Sequence, residues 1–301
     1  MRQEAYFCTV KELDELGKNN IPRQLISHTH LIYSSPATLA FNSPGAEGFG
    51  VKRAGLAVPD SVMLIVSPGC CGRNTSVLSS MRAYQDRFYY LLMDETDIVT
   101  GRHLKKIPKA VAEICEGLKK KPSVVMICIT CVDALLGTDM ERVCHKAEEY
   151  AGVPVRPCYM YALTREGRKP PMVHVRQSVY SLLEPKKKKG NVVNLLGYFS
   201  PLTDDCELYD LLHGAGVKTI HEISRCKDYA QYQTMSEANF NLVLHPEARF
   251  AAEDFHDRLK IPYIELRRLY QIDKIASQYR AFAAALGLSL IHISEPTRRT
   301  P

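Results

Sequence analysis

Ser61-Val62-Met63-Leu64-Ile65-Val66-Ser67-Pro68-Gly69-Cys70-Cys71-Gly72 is the stretch that decides the fold. Ser61–Val66 is apolar at nearly every position, as a strand buried on both faces must be, and it ends in a Pro-Gly loop carrying adjacent cysteines. A helix is expected from about Ser76, and Arg87–Met93 reads as a second strand. Asp94-Glu95-Thr96-Asp97 then reads as a solvated acidic turn. Leu104, Ile107, Val111, Ile114, Cys115 and Leu118 recur at helical spacing, so His103–Lys120 is predicted helical. Lys119–Lys121 would complement the dipole at its end, and Pro122 would stop it. Ser123–Ile129 is a further buried strand running into Thr130-Cys131. Asp139–Ala151 reads as a helix ending at Gly152, with strand Val153–Cys158 after it. Strands alternating with amphipathic helices are the grammar of βαβ units and a parallel sheet.

Glu184-Pro185, four lysines (Lys186–Lys189) and Gly190 mark the expected domain boundary, with the lysines read as a solvated linker. The grammar then repeats: strand Asn191–Leu196, helix Asp204–His213, a stop at Gly214 and Gly216, and strands Val217–Ile223 and Phe240–Leu244. Helix Pro246–Leu259, strand Ile261–Ile264 and helix Asp273–Leu286 complete it. The fold class is therefore α/β, with tandem Rossmann-like doubly wound parallel-sheet domains over 1–185 and 190–287. Leu288–Arg298 (L-S-L-I-H-I-S-E-P-T-R) reads as a transposase sequencing adapter translated in frame. Residues 288–301 are accordingly expected to be non-biological and a third domain to be missing.

The chain has 301 residues, 46% of them hydrophobic and 24% charged, with a formal net charge of +6. That is ordinary globular composition, without the concentrated basic excess of a nucleic-acid binder. No apolar run reaches the length of a membrane span, and the opening Met1-Arg2-Gln3-Glu4 has no signal-peptide core, so a cytoplasmic protein is expected. Ten cysteines in such a chain argue against a disulfide framework. Several read as small buried apolar residues.

Cys70-Cys71 and Cys131 each fall just past the carboxyl end of a predicted strand, where open α/β sheets build their sites. Thiolates there bind zinc or an iron–sulfur cluster. Cys128-Ile129-Thr130-Cys131 has no second C-x-x-C to complete a zinc set, and Cys128 is expected in the sheet interior. His245 follows strand Phe240–Leu244 at the carboxyl edge of the second sheet, as a ligand or as a helix-start histidine satisfied by backbone. His28 and His30 form a pair lacking a third ligand. G-x-G-x-x-G after the first strand and G-x-x-x-x-G-K-[ST] are absent, which argues against dinucleotide binding of the Rossmann type and P-loop chemistry, and without G-x-S-x-G or H-E-x-x-H a hydrolase has no positive evidence.

Four segments together resemble the component 1 family of nitrogenases and nitrogenase-like reductases. Ser67-Pro68-Gly69-Cys70-Cys71-Gly72 is similar to the family's G-P-x-G-C loop, the P-x-x-C spacing matching Cys71. Asp94–Gly101 is similar to its E-x-D-x-x-x-G turn. Thr130-Cys131 through Gly137-Thr138-Asp139 resembles T-C-x-x-x-x-x-G-D-D and is the most specific of the four. Asn241–His245, a helix and Ile261-Pro262-Tyr263 follow the family's second domain.

The resemblance implies Cys71 and Cys131 as ligands of a [4Fe–4S] cluster, with Cys70 and Gly72 beside it. The family's earlier cysteine is absent from Tyr33–Ala37, so a homodimer, or a heterodimer with a related component 1 subunit, would complete four ligands. It also implies an ATP-dependent iron–sulfur reductase as electron donor, and a reducible substrate or second metallocofactor, a tetrapyrrole-type ligand included. His245 falls where catalytic subunits place a cysteine on the large cofactor. The leading expectation is a reductase subunit relaying electrons, with neither nucleic acid nor membrane as partner. The alternatives are a non-catalytic scaffold for metallocluster assembly, or an α/β binding module with structural or zinc-binding cysteines.

Overall fold

The computed structural model describes residues 8–17, 19–20, 22, 44–69, 82–160 and 169–285. Cys70, Cys71, Gly72, the helix expected from Ser76, His28, His30 and Tyr33–Ala37 lie outside the described residues. The chain divides into a unit over Met1–Ser43 and a larger one over Pro44–Pro301. In the first unit, helix α1 (Val10–Leu16) opens with a capping box: Thr9 Oγ1 accepts from Glu12 N at 3.2 Å, and Glu12 Oε2 accepts from Thr9 N at 2.7 Å.

The larger unit begins with α2 (Pro44–Gly55) and contains two four-stranded parallel sheets. In the first, β1 (Val62–Ser67), β2 (Phe88–Leu92), β3 (Val125–Ile129) and β4 (Val155–Tyr159) lie in the order β2-β1-β3-β4. Between them come α3 (Glu95–Thr100), α4 (His103–Gly117), α5 (Cys131–Leu136) and α6 (Met140–Ala151). After α7 (Pro171–Tyr180), the second sheet holds β5 (Val192–Leu196), β6 (Thr219–His221), β7 (Phe240–Val243) and β8 (Tyr263–Glu265), ordered β6-β5-β7-β8. Helices α8 (Glu207–Gly214), α9 (Tyr229–Gln233), α10 (Arg249–Leu259) and α11 (Ile272–Ala285) accompany it. Both sheets thus have the same order relative to their first strand, which is the internal duplication expected from the repeated pattern.

Alternation along the strands sorts side chains between two layers. Leu64, Val66, Ile127 and Ile129 pack with Ile107 and Val111 of α4 and with Met140, Cys144 and Ala147 of α6. Met63, Ile65, Met126 and Cys128 face the other way into one core, shared with Val175 and Val179 of α7, Leu196 and Val243 of the second sheet, and Phe255 of α10. Each such fully buried aliphatic side chain contributes about 1.5–3 kcal/mol. A third core lies on the far side of the second sheet, where Val193, Leu195 and Leu242 meet Leu212 of α8 and Phe282 of α11.

Four expectations are corrected. Asp94, Glu95 and Thr96 are exposed as expected, but the segment opens α3, and Asp97 is 1% exposed because Lys106 and Arg102 neutralise its carboxylate. Helix α4 ends at Gly117, so Lys119–Lys121 do not serve its dipole. Instead Lys120 pairs with Asp60 at 2.8 Å, and Lys121 donates to the Gly152 carbonyl after α6 at 3.3 Å. The lysine run is only half solvated: Lys188 Nζ donates to Ser236 O at 2.6 Å, and Lys189 pairs with Glu237. The strand expected over Val217–Ile223 is confined to Thr219–His221.

Candidate functional site

A parallel sheet opens a crevice where the chain leaves two adjacent strands in opposite directions. In the first sheet that point lies between β1 and β3, since β1 leads to β2 on one side and β3 to β4 on the other. In the second it lies between β5 and β7, for the same reason. The expected site residues fall at both points: Cys131 directly after β3, and His245 directly after β7.

At the first crevice, Ser67 ends β1 and Thr130 follows β3. Their hydroxyls, and Asp133 Oδ2, are buried and have no hydrogen-bond partner among the described residues. Cys131 is half-buried, a free thiol, and the first residue of α5 rather than part of a loop. Burial separates it from four of the other described cysteines, though not from Cys8, Cys206 and Cys226, which are also half-buried. Cys115, Cys128, Cys144 and Cys158 are buried. Burial raises the thiols of Cys158 and Cys144 far above the ordinary range, and that of Cys115 as well. These four are structural, as small apolar residues are. Cys131 has the access and the softness of a cluster ligand. Among the described residues, however, no group of three or more His, Cys, Asp or Glu is close enough to hold a metal ion.

Behind Cys131 stands a polar network that the sequence reading did not assemble. His103 Nε2 lies 2.9 Å from Asp133 Oδ1, and its Nδ1 lies 3.0 Å from the Asp97 carbonyl. Thr138 Oγ1 donates to the same Asp133 oxygen at 3.1 Å. Asp97 accepts from Arg102 Nε and Lys106 Nζ, each at 2.7 Å, which holds its carboxyl far below the usual carboxylate range. The network ties the first turn of α5, and hence Cys131, to α3 and α4. The available signal was His103 itself, which lies one turn before Ile107 on the apolar stripe of α4.

At the second crevice the backbones of the two loops nearly touch. Gly197 follows β5 with φ +138°, and a Cβ there would lie 2.7 Å from His245 N, so only glycine fits. His245 caps the short 3-10 turn Pro246–Ala248: its Nδ1 accepts from Glu247 N at 3.3 Å. The Tyr198 and His245 rings meet in a T-shaped arrangement with centroids 5.7 Å apart, and the Tyr198 hydroxyl accepts from Arg268 Nη2 at 3.0 Å. Arg176, 5% exposed, anchors the group from below. It donates through Nη2 (2.7 Å) and Nε (3.2 Å) to the Gly197 carbonyl, and through Nη1 to Glu247 Oε2 and Met172 O, both at 2.8 Å. Burial pushes the His245 ring below the ordinary histidine range; Glu247 opposes this, and Arg176 and Arg268 reinforce it. Arg176 was missed, although it is the one Lys, Arg, Asp or Glu between Met172 and Tyr180.

Comparison with known proteins follows the same lines. The chain matches the family model "Nitrogenase component 1 type Oxidoreductase" over residues 47–299. A relative from Nostoc sp., "Nitrogenase iron-molybdenum cofactor biosynthesis protein NifE", is 27% identical over 239 residues, covering 76% of this chain and 49% of the relative. The protein of the same name from Klebsiella pneumoniae is 26% identical over 266 residues, covering 81% and 58%. The chain thus spans about half the length of the curated relatives it matches. The solved structure "Nitrogenase Cp1 at pH 6.5" superimposes with a TM-score of 0.60 at 16% identity, over 88% of this chain and 62% of that one. Among the described residues no helix is long and apolar enough to cross a membrane. With sheets, crevices and family match in agreement, the chain belongs to the nitrogenase component 1 type oxidoreductase family.

Proposed function

We propose that this chain belongs to a cytoplasmic metallocluster scaffold, on which an iron–sulfur cluster is held and a larger cofactor is assembled or stored. The observation that carries the reading is Cys131, an accessible free thiol at the β1/β3 crevice beside buried polar atoms that have no partner among the described residues. Cys131 and Cys71 supply two thiolates, and a second copy or a related subunit supplies the other two, around a [4Fe–4S] cluster. Cys70 and Gly72 lie next to it in the chain, and His245 faces the cofactor at the β5/β7 crevice. The division into domains over 1–185 and 190–287 belongs to the same reading, each domain contributing one crevice. The role for which the relatives are named, cofactor biosynthesis, favours the scaffold over the catalytic subunit.

The family's description as an oxidoreductase supports a second reading. In it an ATP-dependent iron–sulfur reductase passes electrons through the cluster to a reducible substrate. In either case the cluster supplies the redox chemistry, and the chain's own residues position it and exclude water.

The test is anaerobic purification followed by iron and acid-labile sulfide assay of wild type, Cys71→Ala and Cys131→Ala. About four irons per dimer, lost in both variants, is the expected result. Folded, iron-free wild type indifferent to both changes overturns the reading. Transfer of the loaded cofactor to an acceptor apoprotein, without turnover when reductase and ATP are added, then selects the scaffold.

A further inference from the structure

Resting on the cofactor reading above, we propose that His245 meets its ligand as a hydrogen-bond donor through Nε2–H, and not as a metal ligand. A neutral imidazole has one protonated nitrogen and one lone-pair nitrogen. The lone pair of His245 is already assigned: Nδ1 accepts the Glu247 backbone N–H at 3.3 Å, which places the ring proton on Nε2. Nε2 has no protein partner among the described residues, and the side chain is 38% exposed, so this N–H is available to a ligand.

Metal-bound histidines ordinarily show the opposite arrangement. The nitrogen away from the metal carries the proton and donates it to a carbonyl or carboxylate, which leaves the other lone pair free. The obvious acceptor here would be the Glu247 carboxylate, but its Oε2 stands 3.6 Å from Nδ1, outside hydrogen-bond reach. Arg176 Nη1 engages that oxygen at 2.8 Å. The buried arginine therefore sets the tautomer by removing the competing acceptor. For Nε2 to bind a metal with Nδ1 unprotonated, the ring would have to become an imidazolate.

The neighbours point to the same ligand chemistry. Tyr198 Oη accepts from Arg268, which leaves its own proton to donate. The charged groups around the ring are Arg176, Arg268 and Glu247, and the depressed proton affinity of the ring agrees with a neutral donor. Two neutral donors beside Arg268 suit an anionic, acceptor-rich surface, such as sulfide or carboxylate oxygens of a bound cofactor.

The experiment uses the full chain, uniformly 15N-labelled, with long-range 1H–15N correlations of its imidazole rings near neutral pH. His245 is identified by the signals lost in His245→Gln. The expected pattern is a lone-pair Nδ1 and a protonated Nε2, unchanged on adding equimolar zinc as a probe for free lone pairs. A protonated Nδ1 with a lone-pair Nε2, or zinc taken up at Nε2, overturns the proposal. After iron and sulfide reconstitution, His245→Gln should leave the cluster's histidine-nitrogen couplings unchanged in pulsed electron paramagnetic resonance; loss of such a coupling also overturns it. Because the tautomer is read in the cofactor-free chain, its failure is distinct from failure of the iron assay on Cys71 and Cys131.

Discussion

His103 Nε2 and Asp133 Oδ1 are 2.9 Å apart, and neither side chain has any solvent exposure. The other ring nitrogen faces the Asp97 carbonyl, which can only accept, so Nδ1 carries a proton. The pair must then be an imidazolium with a carboxylate, or a neutral ring with a carboxylic acid. In both forms it is electrically neutral and contains one shared proton, which is how two ionisable groups can be buried together. Removing one member leaves the other stranded. His103→Ala is expected to lower unfolding free energy by about 3–5 kcal/mol. Asp133→Asn, whose amide can donate to Nε2 of a neutral ring, should cost no more than about 1.5 kcal/mol. Urea denaturation of both variants checks the order.

Asp97 makes part of the acid stability depend on one carboxylate. Lys106 and then Arg102 hold its folded proton affinity far below that of an unfolded aspartate. Between the two values the unfolded chain binds the proton that the folded chain refuses. The stabilisation is therefore complete above the ordinary carboxylate range near pH 4 and is lost as pH falls toward the folded value. Asp97→Asn should lower the urea midpoint at neutral pH and flatten its decline between about pH 5 and pH 3. A variant curve that runs parallel to wild type through that window would remove Asp97 from the account.

Thiol chemistry should divide the cysteines as burial does. The thiolate is the nucleophile, and burial raises the proton affinity of Cys115, Cys144 and Cys158. Cys131 is accessible at the head of α5. Iodoacetamide at mildly alkaline pH, with the cysteine peptides read by mass spectrometry, should modify Cys131 at least ten-fold faster than Cys144 or Cys158. In 6 M urea the difference should collapse. Cys226, pushed up to about 11 by burial, should fall between the two groups.

Much of this was legible from runs and spacings. β1 and β3 were readable because strands buried on both faces leave uninterrupted apolar runs, and the placement of Cys131 at the sheet edge because it comes just after such a run. Asp97 was misread for a physical reason. An acidic cluster ordinarily seeks water, and its burial depends on Arg102 and Lys106, which approach it only once α3 and α4 have formed. Helix α7 was invisible for another: wedged among α2, α10 and β4, it buries Arg176 together with Val173, Val175 and Val179, so polarity along the sequence does not trace its buried face. Its Arg176 reaches Gly197 and Glu247, contacts that no sequence spacing encodes.

Those contacts make the last prediction. The Gly197 carbonyl accepts two N–H groups of Arg176, while its α-carbon lies against the His245 backbone. Gly197→Ala puts a methyl group 2.7 Å from His245 N at φ +138°, a conformation that side chains rarely adopt. Either the β7 loop retreats or the backbone is strained, at a cost of about 1–3 kcal/mol. Arg176→Lys keeps the charge but cannot reach Gly197 O, Met172 O and Glu247 with the planar fork that arginine provides. It should therefore free Glu247 to compete for Nδ1 of His245. In Arg176→Lys the His245 ring is expected to shift toward the Nδ1–H form and its proton affinity to rise, read as a higher titration midpoint in the 15N spectrum. Gly197→Ala should alter stability and the His245 backbone amide shift while leaving Arg176 paired with Glu247. An unchanged His245 ring in Arg176→Lys would show that the arginine only stabilises the crevice and does not set the state of the histidine.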